Sequence, residues 1–193
     1  WLSLVVDEED IKNIKPLPNL DYKIMQGNSL IELLSSEMSD STDYNRTKLV
    51  KKLKQAKDEL FDITNPIRKE NKRSEINKHI RDLIEYDRKK QIERLKDKIT
   101  AIKSQLKLFE DEKEQKEEEK KVNIIKAEIS EIANLEFPGP SEHFEWHINF
   151  SDIFQEKGGF DVVIANPPYV RVQNVPYHLI DIYKKTWSTA WKR

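Results

Sequence analysis

The sequence contains no cysteine in its 193 residues. Disulfides, thiolate metal sites and cysteine nucleophiles are therefore excluded, and the redox setting expected is cytoplasmic. Glycine is scarce. Only Gly27, Gly139, Gly158 and Gly159 occur, none lies between residues 28 and 138, and between Pro18 and Pro138 only Pro66 interrupts. No apolar run approaches the roughly 18 residues of a membrane-spanning helix, and no signal-peptide pattern opens the chain, so no membrane partner is expected. Hydrophobic residues make up 37% and charged residues 36%. Ordinary domains run nearer about 45–50% and about 25%, so the core must be modest and much of the chain solvated. The chain opens inside an apolar run, Trp1-Leu2-Ser3-Leu4-Val5-Val6, and stops at Trp191-Lys192-Arg193. Both ends read as cut through structure, and the expectation is an internal fragment of a longer protein.

What is present is charge, unevenly laid out. Residues 44–109 hold 20 Lys/Arg against 10 Asp/Glu, whereas residues 110–134 hold 5 against 9. A long stretch without breakers, dense in Lys, Glu, Leu and Ile, predicts helix. Leu95, Ile99, Ile102, Leu106 and Phe109 recur at helical spacing; Ile76, Ile80 and Leu83 do so before them, and Val122, Ile125, Ile129 and Ile132 after. A narrow apolar stripe on a charged helix needs a second helix to cover it. The simplest arrangement is antiparallel, with residues near 74–109 running out and 118–135 running back, preceded by a helix over roughly 45–63 that ends near Asn65-Pro66. The stripe could also pair between chains and make a dimer through the helical arm, but both partners are present in one chain.

The flanks read differently. Asp21 to Met25 is a short strand candidate closed by Gln26-Gly27-Asn28, and a helix is expected to start at Ser29. Pro138-Gly139-Pro140 is a loop, and His143 to Phe154 alternates loosely enough to suggest a strand. Gly158-Gly159 turns into Phe160-Asp161-Val162-Val163-Ile164-Ala165, a β-branched run that predicts a buried strand of a parallel sheet. The fold class expected is α/β: a partial Rossmann-like sheet interrupted by a long antiparallel, coiled-coil-like helical insertion. Core segments would occupy 1–42 and 137–193, with the helical arm at 43–136.

Directly after that strand stands Asn166-Pro167-Pro168-Tyr169. Ligands of open α/β sheets bind beyond the carboxyl ends of the strands. Two prolines fix two φ angles, remove two N–H donors and push Asn166 out of the helical region. The stiff loop thus offers an amide, unencumbered carbonyls and an aromatic ring. That inventory suits the exocyclic amine of adenine, whose lone pair is delocalised into the ring. Two acceptors, the Asn166 side-chain oxygen and the Pro167 carbonyl, would favour a pyramidal nitrogen, and Tyr169 would stack on a base flipped from double-stranded DNA. Rigidity preserves the orientation.

From Phe160 to Arg171 the sequence resembles the catalytic motif of N6-adenine DNA methyltransferases, and in particular the fused restriction–modification enzymes called type IIG. Leu17 to Leu30, ending in Gly27-Asn28-Ser29-Leu30, is similar to the family segment that contacts the adenine ring of S-adenosylmethionine. The resemblance covers about residues 1–34 and 140–185. It implies catalytic roles for Asn166, Pro167, Pro168 and Tyr169, a cofactor contact for Asn28, S-adenosylmethionine as cofactor, and a fused or associated nuclease and specificity domain as partners. The family's Phe-x-Gly-x-Gly cofactor loop has no match, since no glycine precedes Gly27. The isolated chain is therefore expected to be inactive and to bind the cofactor weakly or not at all.

Other signals are weaker. The basic stretch could lie along DNA phosphates, or be a solvated face pairing with the acidic 110–134 arm; the second reading is preferred. His143 and His147, beside Glu142 and Glu145, have the spacing of a metal pair. The neighbouring Pro138, Pro140, Phe144 and Trp146 fit a packed loop-to-strand segment better, and no metal is expected. Arg171 could reach a phosphate, Trp187 and Trp191 read as core anchors, and no nuclease motif is visible. The alternative to the enzyme reading is a helical interaction or DNA-contacting module on an α/β scaffold.

Overall fold

Where a side chain can cap a free backbone N–H, a helix starts. The computed structural model describes residues 20–27, 34, 43–106, 112–136, 144–166 and 172–186. Asp43 Oδ1 accepts from the N–H groups of Asn45 and Arg46, both at 3.0 Å, and opens α1, Tyr44–Phe61. Asn65 Oδ1 likewise accepts from Ile67 and Arg68 at 3.0 and 3.1 Å. It opens α2, Pro66–Leu106, with Pro66 at the first helical position, where a missing N–H goes unnoticed. The helix thus begins well before residue 74. A third helix, α3, spans Glu112–Asn134.

Helices α1 and α2 run antiparallel: Glu59 near the end of α1 meets Lys72 at 2.7 Å, while Arg46 at its start meets Asp87 at 2.9 Å. Their buried positions, Arg46, Val50, Leu53, Ala56 and Leu60 on one and Ile76, Ile80, Leu83, Ile84 and Asp87 on the other, follow helical spacing. Leu34 and Ile148 enter the same hydrophobic cluster, with Tyr22 packed against it. The helical block is therefore cored jointly with residues from both flanks. Further along, α3 packs on α2 through Leu95, Val122 and Ile132, all buried, and Arg88 donates to the Ala133 carbonyl at 3.4 Å.

Much of the basic charge of α2 is engaged by carboxylates. Lys72 pairs with Glu59 and Glu75, Arg73 with Asp21 and Glu70, Arg88 and Lys89 with Glu85, and Lys90 with Glu93. Where both side chains are exposed, such pairs contribute about 0–1 kcal/mol each. They leave a solvated surface of mixed sign.

The α/β expectation is overturned. Among the described residues there is no strand and no sheet, only an isolated bridge between Asp21 and Ile24. Phe160 to Ala165 is not a buried strand: Val162 and Val163 are 75% exposed and Ile164 92%. A β-branched run becomes a strand by finding a ladder partner and a face to cover it, and the described residues supply neither. Residues 21–25 form a turn, in which Lys23 and Ile24 donate to the Leu20 carbonyl at 3.0 and 3.2 Å. The strand suggested within 143–154 is replaced by two short helices, α4, Trp146–Asn149, and α5, Ser151–Lys157. Asn149 Oδ1 accepts from the Glu145 N–H at 2.8 Å, and Gly158, at φ 77°, ends α5 in the left-handed conformation that glycine adopts freely. A 3₁₀ turn at Val172–Asn174 and α6, Tyr177–Thr186, follow.

The cap of α1 gives a measurable pH dependence. Partial burial pushes the Asp43 carboxyl up, but hydrogen bonds from Arg46 N–H, Tyr86 OH and Asn45 N–H together hold it below the usual carboxylate range. Because the folded pKa is depressed, the stabilisation is complete above the unfolded value of about 3.9 and fades as pH falls through the folded one. Asp43→Ala should cost about 1–2 kcal/mol at neutral pH, and urea unfolding should show the difference from wild type shrinking below about pH 4.

Candidate active site

Two segments far apart in sequence meet beside Gly27. A Cβ at this glycine would overlap the Phe144 side chain, whose Cγ would also lie only 3.0 Å away. Close approach, not a positive φ, is what requires glycine here. Around this contact stand aromatic rings in edge-to-face and stacked order. Phe144 lies 4.8 Å from Trp146, Trp146 lies 5.9 Å from Phe150, and Phe160 packs edge-on against Trp146, Phe150 and Phe154 at 5.7, 5.3 and 5.8 Å. Such pairs each add about 0.5–1.5 kcal/mol beyond their buried area, which fixes Phe160 as the root of the segment leading to Asn166.

Between these rings lies a cavity of about 310 Å³, lined by Lys23, Met25, Gly27, Phe144, Trp146, Phe150 and Phe160. Its size is at the lower end for small-molecule sites, and its walls are apolar and aromatic with one cationic side chain, the usual make-up of such sites. From sequence, Gly27 is a turn signal and the first residue of the Gly27-Asn28-Ser29-Leu30 resemblance, without a role of its own, and Phe144 and Trp146 read as packing. The cluster of aromatics over 144–160 was the available clue to a ring-lined cavity.

None of the predicted site residues is among the described residues that line this cavity. Asn166 is the last described residue of the irregular 160–166 segment and is exposed, outside any helix. Pro167, Pro168, Tyr169 and Asn28 lie outside the described residues, as do Arg171, His143, Trp187 and Trp191. In sequence, lining residues precede both predicted elements: Gly27 directly before Asn28, and Phe160 ahead of Asn166.

His147 faces the protein. Its ring lies 4.1 Å from Phe154, and burial, helped by the charge of Arg46, holds its imidazole below the ordinary range. Among the described residues no group of three His, Asp or Glu side chains could hold a metal ion, and no helix is long and apolar enough to cross a membrane.

The backbone of this region is held by cations from α1. Arg46 Nη2 donates to the His147 carbonyl at 3.2 Å and Lys57 Nζ to the Asn149 carbonyl at 2.6 Å, while Lys54 pairs with Glu156. Burial pushes the Lys57 ammonium down, with Asp152 opposing it. Hydrogen bonds to backbone carbonyls fix the path of the chain and not merely the side chains.

Comparison with known proteins gives one result. Residues 17–193 match the family model described as Eco57I restriction-modification methylase. No curated protein and no solved structure matches.

The Gly27 contact is testable. Gly27→Ala forces Phe144 or the 20–27 backbone to move, and overpacking of this kind costs about 1–3 kcal/mol. Chemical denaturation should show that loss, together with a changed Trp146 environment in near-ultraviolet circular dichroism; an unchanged midpoint would mean that the two segments are not in contact.

Proposed function

We propose, since the chain belongs to the Eco57I restriction-modification methylase family, that its methyl acceptor is the exocyclic amine of adenine in DNA and that Asn166-Pro167-Pro168-Tyr169 holds it. The observation that supports this reading is position: the family match spans the tetrapeptide, and Asn166 stands exposed at the end of an irregular segment whose first residue, Phe160, packs edge-on against Trp146 and Phe150. An exposed amide on a fixed root can meet a base from outside the protein. The type IIG relationship, with an associated nuclease and specificity elements acting on the same DNA, belongs to this proposal.

The chain's own residues would work as follows. The Asn166 side-chain oxygen and the Pro167 carbonyl accept the two N–H bonds of the amine, which draws its lone pair out of conjugation. Tyr169 offers a ring face to the flipped base. The cavity beside Gly27 fits a planar heteroaromatic ring by size and lining, and with Asn28 next in sequence it is the place for the adenine of S-adenosylmethionine. Lys23 and Met25 close its rim. When bound, the cofactor supplies an electrophilic methyl group on a sulfonium centre. The amine proton released on transfer passes to solvent, to which Asn166 is open.

Asn166→Ala in the full-length protein should lower methyl transfer to adenine by about 10²–10³-fold or more, as loss of a preorganised polar contact does, with an unchanged circular dichroism spectrum. Incorporation of labelled methyl groups into adenine-containing DNA is the assay. Transfer at the wild-type rate would rule out the assigned role.

A further inference from the structure

The segment that leads into Gly27 and Asn28 is held in an unfavourable conformation by the helical block. Tyr22 has φ 60°, the one positive value at a non-glycine residue among those described. An L-residue persists there only when its surroundings over-determine it. The surroundings come from α2. The Tyr22 hydroxyl donates its one hydrogen to Asn77 Oδ1 at 2.6 Å, with the Arg73 carbonyl at 3.3 Å as the weaker alternative acceptor. Next to it, the Asp21 carboxylate takes Arg73 Nε at 2.7 Å and Nη2 at 2.6 Å, with Lys69 Nζ at 3.6 Å. Both nitrogens converge on one oxygen, Oδ2, so this charge-assisted contact ties the turn to α2 at a single point. Burial, and then the Asp21 charge, push the Tyr22 phenol up to about 12, so the hydroxyl stays a donor at every working pH.

The same two helices hold the opposite segment. Arg46 and Lys57 of α1 grip the His147 and Asn149 carbonyls, and Ile148 enters the α1–α2 core. The turn at 20–27 is thus anchored on the first half of α2, the 144–157 segment on α1, and the two touch at Gly27 and Phe144. Relative placement of the two chain segments is set through the helices they both grip.

We propose that the base of the helical block is a positioning device for the active site, and that Asp21, Tyr22, Arg73 and Asn77 form the clamp that sets where Gly27 stands against the Phe144–Phe160 aromatic wall. This rests on the methyltransferase reading for its catalytic consequence, but not for its structural one. The clamp residues touch no reacting atom. They act by fixing the backbone path into the cavity, and a misplaced positioning element weakens binding of whatever the cavity holds. An insertion over 43–136 therefore has work to do at its base, whatever its far end contacts.

Charge reversal separates this from ordinary packing. In the full-length protein, Arg73→Glu and Asp21→Arg should each raise the KM for S-adenosylmethionine about ten-fold, within the usual size of a coupled pair, with kcat changed less than about three-fold. The double variant Asp21→Arg/Arg73→Glu should return the KM to near wild type. Amide hydrogen exchange on the same singles should show faster exchange at 22–27 and unchanged protection at 50–60 and 76–87. Wild-type KM and wild-type exchange at 22–27 in both singles would overturn the clamp, as would a double variant no better than the singles. Loss of protection throughout α1 and α2 would overturn it too, since the residues would then be merely structural. The Asn166→Ala control keeps the two claims apart. If Asn166→Ala is fully active while exchange at 22–27 responds as described, the chemistry is wrong and the clamp stands; if Asn166→Ala is dead while the Arg73 and Asp21 variants behave as wild type, the clamp alone fails.

Discussion

Arg46 and Asp87 form a two-pronged ion pair sealed inside the protein, with side chains only 1% and 2% exposed. Nε lies 2.9 Å from Oδ1 and Nη2 lies 2.9 Å from Oδ2, and the same Nη2 reaches the His147 carbonyl. Three segments, α1, α2 and the stretch containing α4, therefore meet at one guanidinium. Burial pushes the Asp87 carboxyl above the usual carboxylate range, and the hydrogen bonds and charge of Arg46 offset only part of that. Net stabilisation from such a pair is small, because each ion loses several kcal/mol of hydration. Removing one partner is a different matter, since the other is then stranded. The pair acts as a register pin: only one alignment of α1 against α2, and of both against residue 147, satisfies it.

From that pin the rest of the arrangement follows outward. With α1 and α2 aligned, Lys57 meets the Asn149 carbonyl and Asn77 meets the Tyr22 hydroxyl. The 20–27 turn and the 144–160 segment are then brought together over a cavity walled by aromatic rings. In sequence, the chain continues from this frame to Asn28 directly after Gly27 and to Asn166 after Phe160. A helical bracket that grips both segments holds them in one relative orientation.

The helices were legible because their signals are local. Absence of glycine between 28 and 138, the 3–4 spacing of Ile76, Ile80 and Leu83, and the Asn65-Pro66 stop-and-start signal all act within a few residues. The strand at 160–165 was misread because strand propensity states what a segment could pair with, not that a partner is present; Ile164 lies open instead. Residues 143–154 were misread because Phe144, Trp146, Ile148 and Phe150 alternate in sequence while the Asn149 bond to Glu145 and the Gly158 cap favour short helices. In the candidate site, the Asn166 tetrapeptide stands out in the sequence by its chemistry, though Pro167, Pro168 and Tyr169 lie outside the described residues. The clamp does not stand out: Asp21 and Tyr22 meet Arg73 and Asn77 across 51 to 55 residues, and no spacing rule spans that distance.

The register pin is tested most directly by amide hydrogen exchange over residues 146–157 in Asp87→Ala, set beside the global stability of the same variant and of Arg46→Met/Asp87→Leu. The account predicts that Asp87→Ala, which strands the Arg46 charge, loses about 3–5 kcal/mol and the protection of 146–157, and that the paired apolar replacement recovers most of the stability without recovering protection at 146–150, because the His147 carbonyl has lost its donor. Full protection of 146–157 in Asp87→Ala, with stability near wild type, would contradict it.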